Sequence, residues 1–187
     1  LTTSLADLHF APTHKAKENL LREGVNEDII FVTGNTAIDA LKLTLDDAHV
    51  FEEPVLNSID FDNSRVITVT AHRRENLGKP LEEICHAIFH IVEQYSDVEI
   101  VYPVHMNPVV RETVNSILGS HPRIHLIDPV NITDMHNLLN KSYMVMTDSG
   151  GLQEEVPSMG KPVLVLRNVT ERPEGVEAGT LKLAGTN

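Results

Sequence analysis

The 187-residue sequence predicts a Rossmann-like α/β fold built on a parallel sheet, and three observations carry that expectation. From residue 64 onward, short β-branched runs alternate with amphipathic runs, the pattern left by strands joined through crossover helices. Six strand runs can be placed, with four helical runs between them. Proline and glycine punctuate the helices where they should: Pro80 falls in a first turn, while Gly160 and then Pro162 close the last helix.

Taken in order, residues 1–34 read as the tail of a preceding Rossmann-like domain. The apolar stretch Leu8-His9-Phe10-Ala11 is a strand, Pro12-Thr13 opens a helix reaching Glu23, Gly24 ends it, and Ile29–Thr33 is a second strand. No sheet of their own is expected for these residues. Residues 35–64 form a connector and the first helix of a second domain, with the helix over Thr36–Asp47 and an irregular stretch over Pro54–Ser64. In residues 65–187 the strands are Arg65–Thr70, Val98–Pro103, Arg123–Ile127, Tyr143–Thr147, Pro162–Leu166 and Thr180–Ala184. The helices are Pro80–Tyr95, Asn107–Leu118, Asn131–Leu139 and Gly151–Met159. The chain starts at Leu1 and stops at Asn187 just after a strand run, so a piece of a longer protein is expected.

Composition narrows the function classes. Fifteen Lys and Arg stand against 27 Asp and Glu, a net charge of −12, and such a surface repels nucleic acid and anionic membranes. An anionic ligand must then be held by a local site. Four of the eight arginines (Arg73, Arg74, Arg167, Arg172) fall in two short segments that read as loops. Cys85, the one cysteine, lies on the apolar side of a helical run with Leu81, Ile84, Ile88 and Val92, so it reads as core packing in a reducing cytoplasm. There is no signal peptide and no apolar run long enough to span a bilayer.

The most informative stretch is Thr147-Asp148-Ser149-Gly150-Gly151-Leu152-Gln153-Glu154-Glu155. It follows an apolar strand run and opens a short helix with two glycines, which let a ligand approach the backbone where unpaired N–H groups favour an anion. Ser149 is the expected N-cap, and Glu155, about two turns further in, could accept two hydrogen bonds from a ribose diol. The alternative is an ordinary capped helix. Position decides between them. With strand order 3-2-1-4-5-6 the first and fourth strands are neighbours and leave a crevice at their carboxyl ends. The first strand leads into Ala71-His72-Arg73-Arg74-Glu75-Asn76 and the fourth into Asp148-Ser149-Gly150-Gly151, so two chemically loaded loops meet there. A diphosphate between them would have N–H donors on one side and His72, Arg73 or Arg74 on the other.

Other residues carry open alternatives. His-Arg-Arg could be a solvated turn paired with Glu75. Arg172 and Glu174, after the fifth strand, could bind a sugar or pair with each other. His105 is either a second ligand contact or a loop cap. His86 and His90 share a helix face with acidic neighbours but read as a solvated side rather than a metal site, and His121 and His125 read as structural. No Gly-x-Gly-x-x-Gly follows the first strand and no Walker Gly-Lys-Ser/Thr occurs, so nicotinamide and P-loop chemistry are disfavoured. Neither a metal nor a cofactor is expected.

Thr70-Ala71-His72-Arg73-Arg74-Glu75-Asn76, Pro103-Val104-His105-x-Asn107-Pro108, Asp148-Ser149-Gly150-Gly151-x-Gln153-Glu154-Glu155, Gly160-Lys161-Pro162-Val163-Leu164 and Thr170-Glu171-Arg172-Pro173-Glu174, together with Phe31-Val32-Thr33-Gly34-Asn35-Thr36, resemble the bacterial non-hydrolysing UDP-N-acetylglucosamine 2-epimerases. The resemblance covers essentially the whole chain, in order. It implies the second domain of a two-domain fold of the glycosyltransferase-B type, with UDP-sugar in the cleft between the halves. It also implies interconversion of UDP-GlcNAc and UDP-ManNAc by elimination and re-addition of UDP, in the service of cell-surface polysaccharide synthesis. In that frame Ser149, Gly150 and Gly151 hold the diphosphate, Glu155 the ribose, and His72 the phosphate beside the breaking bond. Arg172 supports that site, and Met135 stands where the family often has an aromatic beside the uracil. Arg73 and His105 match positions that contact a second, activating UDP-GlcNAc. The acid and base carboxylates belong to the first domain, outside this chain, and the parent is expected to be a homodimer. A glycosyltransferase of the same fold, a hydrolysing epimerase and a non-catalytic UDP-sugar-binding module are the alternatives; the His-Arg-Arg-Glu-Asn loop favours the non-hydrolysing branch.

Overall fold

The structure is a computed structural model and describes residues 2–186. The chain divides into two compact units, one running through Leu43 and the other from Thr44. In the first, α1 (Thr2–Leu5) precedes β1 (His9–Ala11), α2 (His14–Arg22) and β2 (Ile30–Val32). Thr13 caps α2, its hydroxyl accepting the Ala16 N–H at 3.1 Å, so the Pro12-Thr13 start is where the sequence puts it. The expectation of no separate sheet is corrected: β1 and β2 pair in parallel, with His9 opposite Ile30 and Ala11 opposite Val32. The crossover through α2 is long enough to close this small βαβ unit. A further helix, α3 (Thr36–Thr44), follows.

The second unit is a six-stranded parallel sheet. Its strands are β3 (Arg65–Thr70), β4 (Val98–Pro103), β5 (Ile124–Ile127), β6 (Met144–Thr147), β7 (Val163–Val165) and β8 (Leu181–Leu183), in the spatial order β5-β4-β3-β6-β7-β8. That is the 3-2-1-4-5-6 order expected from the sequence. The last strands are shorter than expected. Pro162, read as a strand residue, has no N–H to give a ladder, although its carbonyl accepts the Val145 N–H at 3.0 Å. The crossover helices are α4 (Lys79–Gln94), α5 (Pro108–Leu118), α6 (Ile132–Lys141) and α7 (Leu152–Ser158). A short helix that the sequence reading left as loop, α8 (Pro173–Glu177), precedes β8.

Strands covered on both faces explain why apolar residues dominate them on both sides of the pleat. On β3, Ile67 and Val69 enter one core with Leu81, Ile84, Cys85 and Ile88 of α4 and Val110 and Val114 of α5, while Val66 enters a second core with Phe51, Leu56 and Leu138. Burial pushes the Cys85 thiol up to about 12, which fits the packing role read from its helix position. A third core joins Leu139, Val145, Val156 and Val163 under α7. Polar side chains of α6 fasten the preceding segment. The buried Asp134 accepts the Glu52 and Glu53 N–H groups at 3.0 and 3.3 Å and meets His49 Nε2 at 2.7 Å, and Asn137 accepts the Asp46 N–H at 2.9 Å.

Candidate functional site

At the sheet's reversal point β3 and β6 run side by side with Thr70 opposite Thr147, and the two hydroxyls are 2.7 Å apart. Each strand then releases a loop at its carboxyl end. Asp148 ties the loops together. Its side chain is fully buried, and Oδ2 accepts the N–H groups of His72 and Arg73 at 2.9 and 2.8 Å and the Asn76 side-chain amide at 2.9 Å. Three donors on one carboxylate oxygen fix the backbone of the His-Arg-Arg loop against the β6–α7 loop. Tyr102 holds the loop's other end: its hydroxyl donates to the Ala71 carbonyl at 2.7 Å from a fully buried ring.

The second loop is braced from inside as well. The Ser149 N–H donates to Thr147 Oγ1 at 2.9 Å, and the Ser149 carbonyl accepts Gln153 Nε2 at 3.1 Å. Gln153 is buried, and its carbonyl oxygen accepts the Thr170 hydroxyl from the loop after β7. Gly150 faces Arg73: a Cβ at that position would lie 3.4 Å from the guanidinium Nη2, so bare backbone stands next to a cation. At Gly151 a Cβ would sit 3.6 Å from Glu155 Oε1 and 3.9 Å from Ser149 Oγ, which places Ser149, Gly151 and Glu155 around one small space.

His72 is exposed at the crevice, with its ring stacked on His105 at a centroid distance of 5.0 Å and an interplanar angle of 2°. His105 also caps its own loop, Nδ1 accepting the Asn107 N–H at 3.1 Å, which is the loop-cap alternative read from the sequence. The structure thus brings together His72, Arg73, His105, Ser149, Gly150, Gly151 and Glu155. Glu155 Oε2 stands 3.7 Å from Nε2 of the buried His136. Met135, one residue earlier on α6, is half-buried against the third core beside Leu152 and Met159.

Several expectations need correction. Ser149 is not the cap of α7; that position is Gly151, which makes no side-chain cap bond, and Glu155 consequently sits in the helix's first turn rather than two turns in. Arg172 is engaged by a partner the sequence did not suggest: its Nε donates to Glu154, and its backbone N–H to Thr170 Oγ1 at 3.0 Å. Glu75 does not pair with the His-Arg-Arg arginines; it accepts from Arg167 Nε at 2.9 Å. Arg167, counted as an available cation, is 6% exposed and is held between Glu75 and both oxygens of Glu171. Arg73 keeps only a loose contact with Glu171, at 3.8 Å. His86 and His90 are exposed on α4, as read, and His121 and His125 each meet a glutamate, Glu93 and Glu99, at 2.9 Å.

Sequence reasoning missed Asp148, Asn76 and Gln153 as scaffolding. Their signal was a polar type within or beside the crevice loops, Asp148 directly after β6, Asn76 in the turn after β3 and Gln153 in α7, which spacing alone does not separate from a ligand contact.

Comparison with known proteins gives a consistent result. The profile of the family described as UDP-N-acetylglucosamine 2-epimerase matches residues 1–187. The UDP-N-acetylglucosamine 2-epimerase of Bacillus subtilis is 58% identical over 187 residues, which is 100% of this chain and 48% of that protein. Among solved structures, S. aureus MnaA with UDP is 55% identical with a TM-score of 0.94, the match covering 100% of this chain and 50% of that one. The UDP-GlcNAc 2-epimerase of Neisseria meningitidis bound to UDP-GlcNAc is 44% identical with a TM-score of 0.91, over 100% and 51% of the two chains. The chain spans about half the length of the curated relatives it matches.

Proposed function

The chain belongs to the UDP-N-acetylglucosamine 2-epimerase family, and from that premise we propose that it is the UDP-gripping half of an enzyme that interconverts UDP-GlcNAc and UDP-ManNAc. The observation that carries the reading is the pair of loops after β3 and β6, locked to each other by Asp148 and presenting a histidine and an arginine opposite bare glycine backbone. Related structures holding UDP and UDP-GlcNAc support nucleotide-sugar as the ligand. Within this reading the six-stranded unit is the second Rossmann-like domain of a glycosyltransferase-B-type fold, and residues 1–34 are the tail of the first.

The residues divide the work. Ser149, Gly150 and Gly151 take the diphosphate, with Arg73 above Gly150. Glu155 receives the ribose hydroxyls, and Met135 lies on the uracil side. As the anomeric C–O bond breaks, its electron pair passes to the diphosphate oxygen, and His72 stabilises that oxygen. Arg172 acts indirectly, holding Glu154 beside Glu155. Arg73 and His105 also line the place for a second UDP-GlcNAc acting as activator. The carboxylates that remove and return the C2 proton belong to the first domain, and the parent is a cytoplasmic homodimer; among the described residues no helix is long and apolar enough to cross a membrane. UDP binds without a metal, since N–H donors and cations neutralise the diphosphate.

Two measurements test this. Calorimetry of UDP with excess chelator is expected to give undiminished binding, and affinity restored only by magnesium overturns the metal-free site. The full-length protein exchanges the C2 hydrogen of UDP-GlcNAc into solvent deuterium and yields UDP-ManNAc without an acceptor, whereas the 187-residue chain does neither. Exchange by this chain alone would place a base within it and sink the division of labour.

A further inference from the structure

We propose that Asp148 is a positioning residue for His72: its free carboxylate oxygen receives the His72 Nδ1–H when nucleotide is bound, and so aims Nε2 at the departing diphosphate. This rests on His72 acting at the diphosphate, as argued above. The two oxygens of Asp148 have unequal fates. Oδ2 serves three donors, all belonging to the loop that carries His72. Oδ1 is buried and has no hydrogen-bond partner. A buried carboxylate oxygen left without a donor is unfavourable, and anchoring the loop would be complete without it.

The donor within reach is the histidine itself. His72 Nδ1 lies 3.7 Å from Oδ1, too far for a hydrogen bond and about an ångström from one. The ring can cover that distance without leaving its neighbour. It is stacked on His105 with the planes 2° apart, and a movement that keeps the two planes parallel preserves the stack. Catalytic hydrogen bonds are often long before ligand binds and shorten in the complex. A carboxylate on Nδ1 fixes the ring's orientation and leaves Nε2 pointing outward, toward the place where the phosphate charge develops. Asp148 itself exchanges no atom or proton with substrate, because its side chain is sealed from solvent.

The test uses the full-length enzyme and the variants H72Q, D148N and the double variant. Asparagine keeps a carbonyl oxygen for the three loop donors and replaces Oδ1 by an amide that cannot accept from Nδ1. Expected is a fall in kcat for D148N on the order of 10- to 10²-fold with KM nearly unchanged, and no further fall when D148N is added to H72Q. An undiminished kcat in D148N overturns the inference. So does a D148N loss of equal size with and without H72Q, since Asp148 would then act through the loop and not through the ring. H72Q turning over like the wild type removes His72 from the reaction, and that separate result sinks the reading on which the inference stands. Should D148N fail to fold, 15N-histidine spectra of the UDP complex decide, with the His72 signal identified by its loss in H72Q. A proton on Nδ1 supports the inference, and a proton on Nε2 alone overturns it.

Discussion

Arg167 and Glu171 form a two-pronged ion pair, the guanidinium nitrogens donating to the two carboxylate oxygens at 2.7 and 3.1 Å, with the arginine almost sealed from solvent. The pair closes the loop after β7, and Glu75 draws the His-Arg-Arg loop onto the same guanidinium. A hydrogen bond from Arg167 is the largest influence on Glu171 and holds its carboxyl down at about 2, from an ordinary value of 4.5.

This fixes the sign of an acid dependence. A carboxylate whose folded pKa is depressed contributes stability that is complete above the unfolded value and is lost as pH falls from there through the folded value. For Glu171 that window runs from 4.5 down to about 2. The side chain is 53% exposed, so solvent screening keeps the effect modest. Expected is a larger loss of urea midpoint in the wild type than in Glu171→Gln when the pH is taken from about 7 to about 3. Parallel losses in the two proteins would show that Arg167 gains nothing from the charge.

Glu155→Ala is expected to weaken UDP by roughly tenfold or more while leaving inorganic pyrophosphate little changed, because hydrogen bonds to a charged group are each worth about 1.5–3 kcal/mol and the partners proposed for Glu155 are ribose hydroxyls. Titration calorimetry with both ligands is the measurement. Equal losses for the two would make Glu155 a structural residue of α7.

Gly175→Ala destabilises the six-stranded unit by about 1–3 kcal/mol, the usual cost of forcing atoms into a packed core. A Cβ at Gly175 would lie 2.4 Å from Leu181 Cδ1 and 2.6 Å from its Cγ, and Leu181 is buried in the third core. Denaturant unfolding followed by circular dichroism measures this. An unchanged midpoint would mean that β8 shifts freely.

The sheet was legible in the sequence because its strands are covered on both faces, and runs such as Val66–Val69 and Val98–Val101 are rich in β-branched residues with a single polar interruption each, Thr68 and Glu99. The crevice was legible because His72 and Gly150 are residue types with few uses at strand ends. The pairings were not. Arg167 reads as an open cation after a strand, yet it is claimed twice, by Glu171 four residues on and by Glu75, which lies 92 residues away. Arg172 carried two open readings, a sugar contact or a pair with Glu174, and neither anticipates Glu154, which the fold delivers from α7. Ser149 reads as a cap by type, yet its N–H and carbonyl are taken by Thr147 and Gln153, and the helix starts later. Local pattern fixes where elements lie; which charges neutralise each other depends on chain segments that only the tertiary fold brings together.

The contact between Thr70 and Thr147 has a consequence for how the molecule assembles. These residues are 77 apart in sequence and meet through a parallel pairing, the kind of long-range closure that forms slowly because its entropy must be met before contacts repay it. The loop bearing His72 therefore leaves the ribosome as a strand end without its counterpart, and stays incomplete until β6 inserts beside β3. A nascent chain has no nucleotide grip until that insertion. Once it is made, any ligand spanning the two loops binds the folded protein and not the unfolded chain, and holds the insertion closed by mass action.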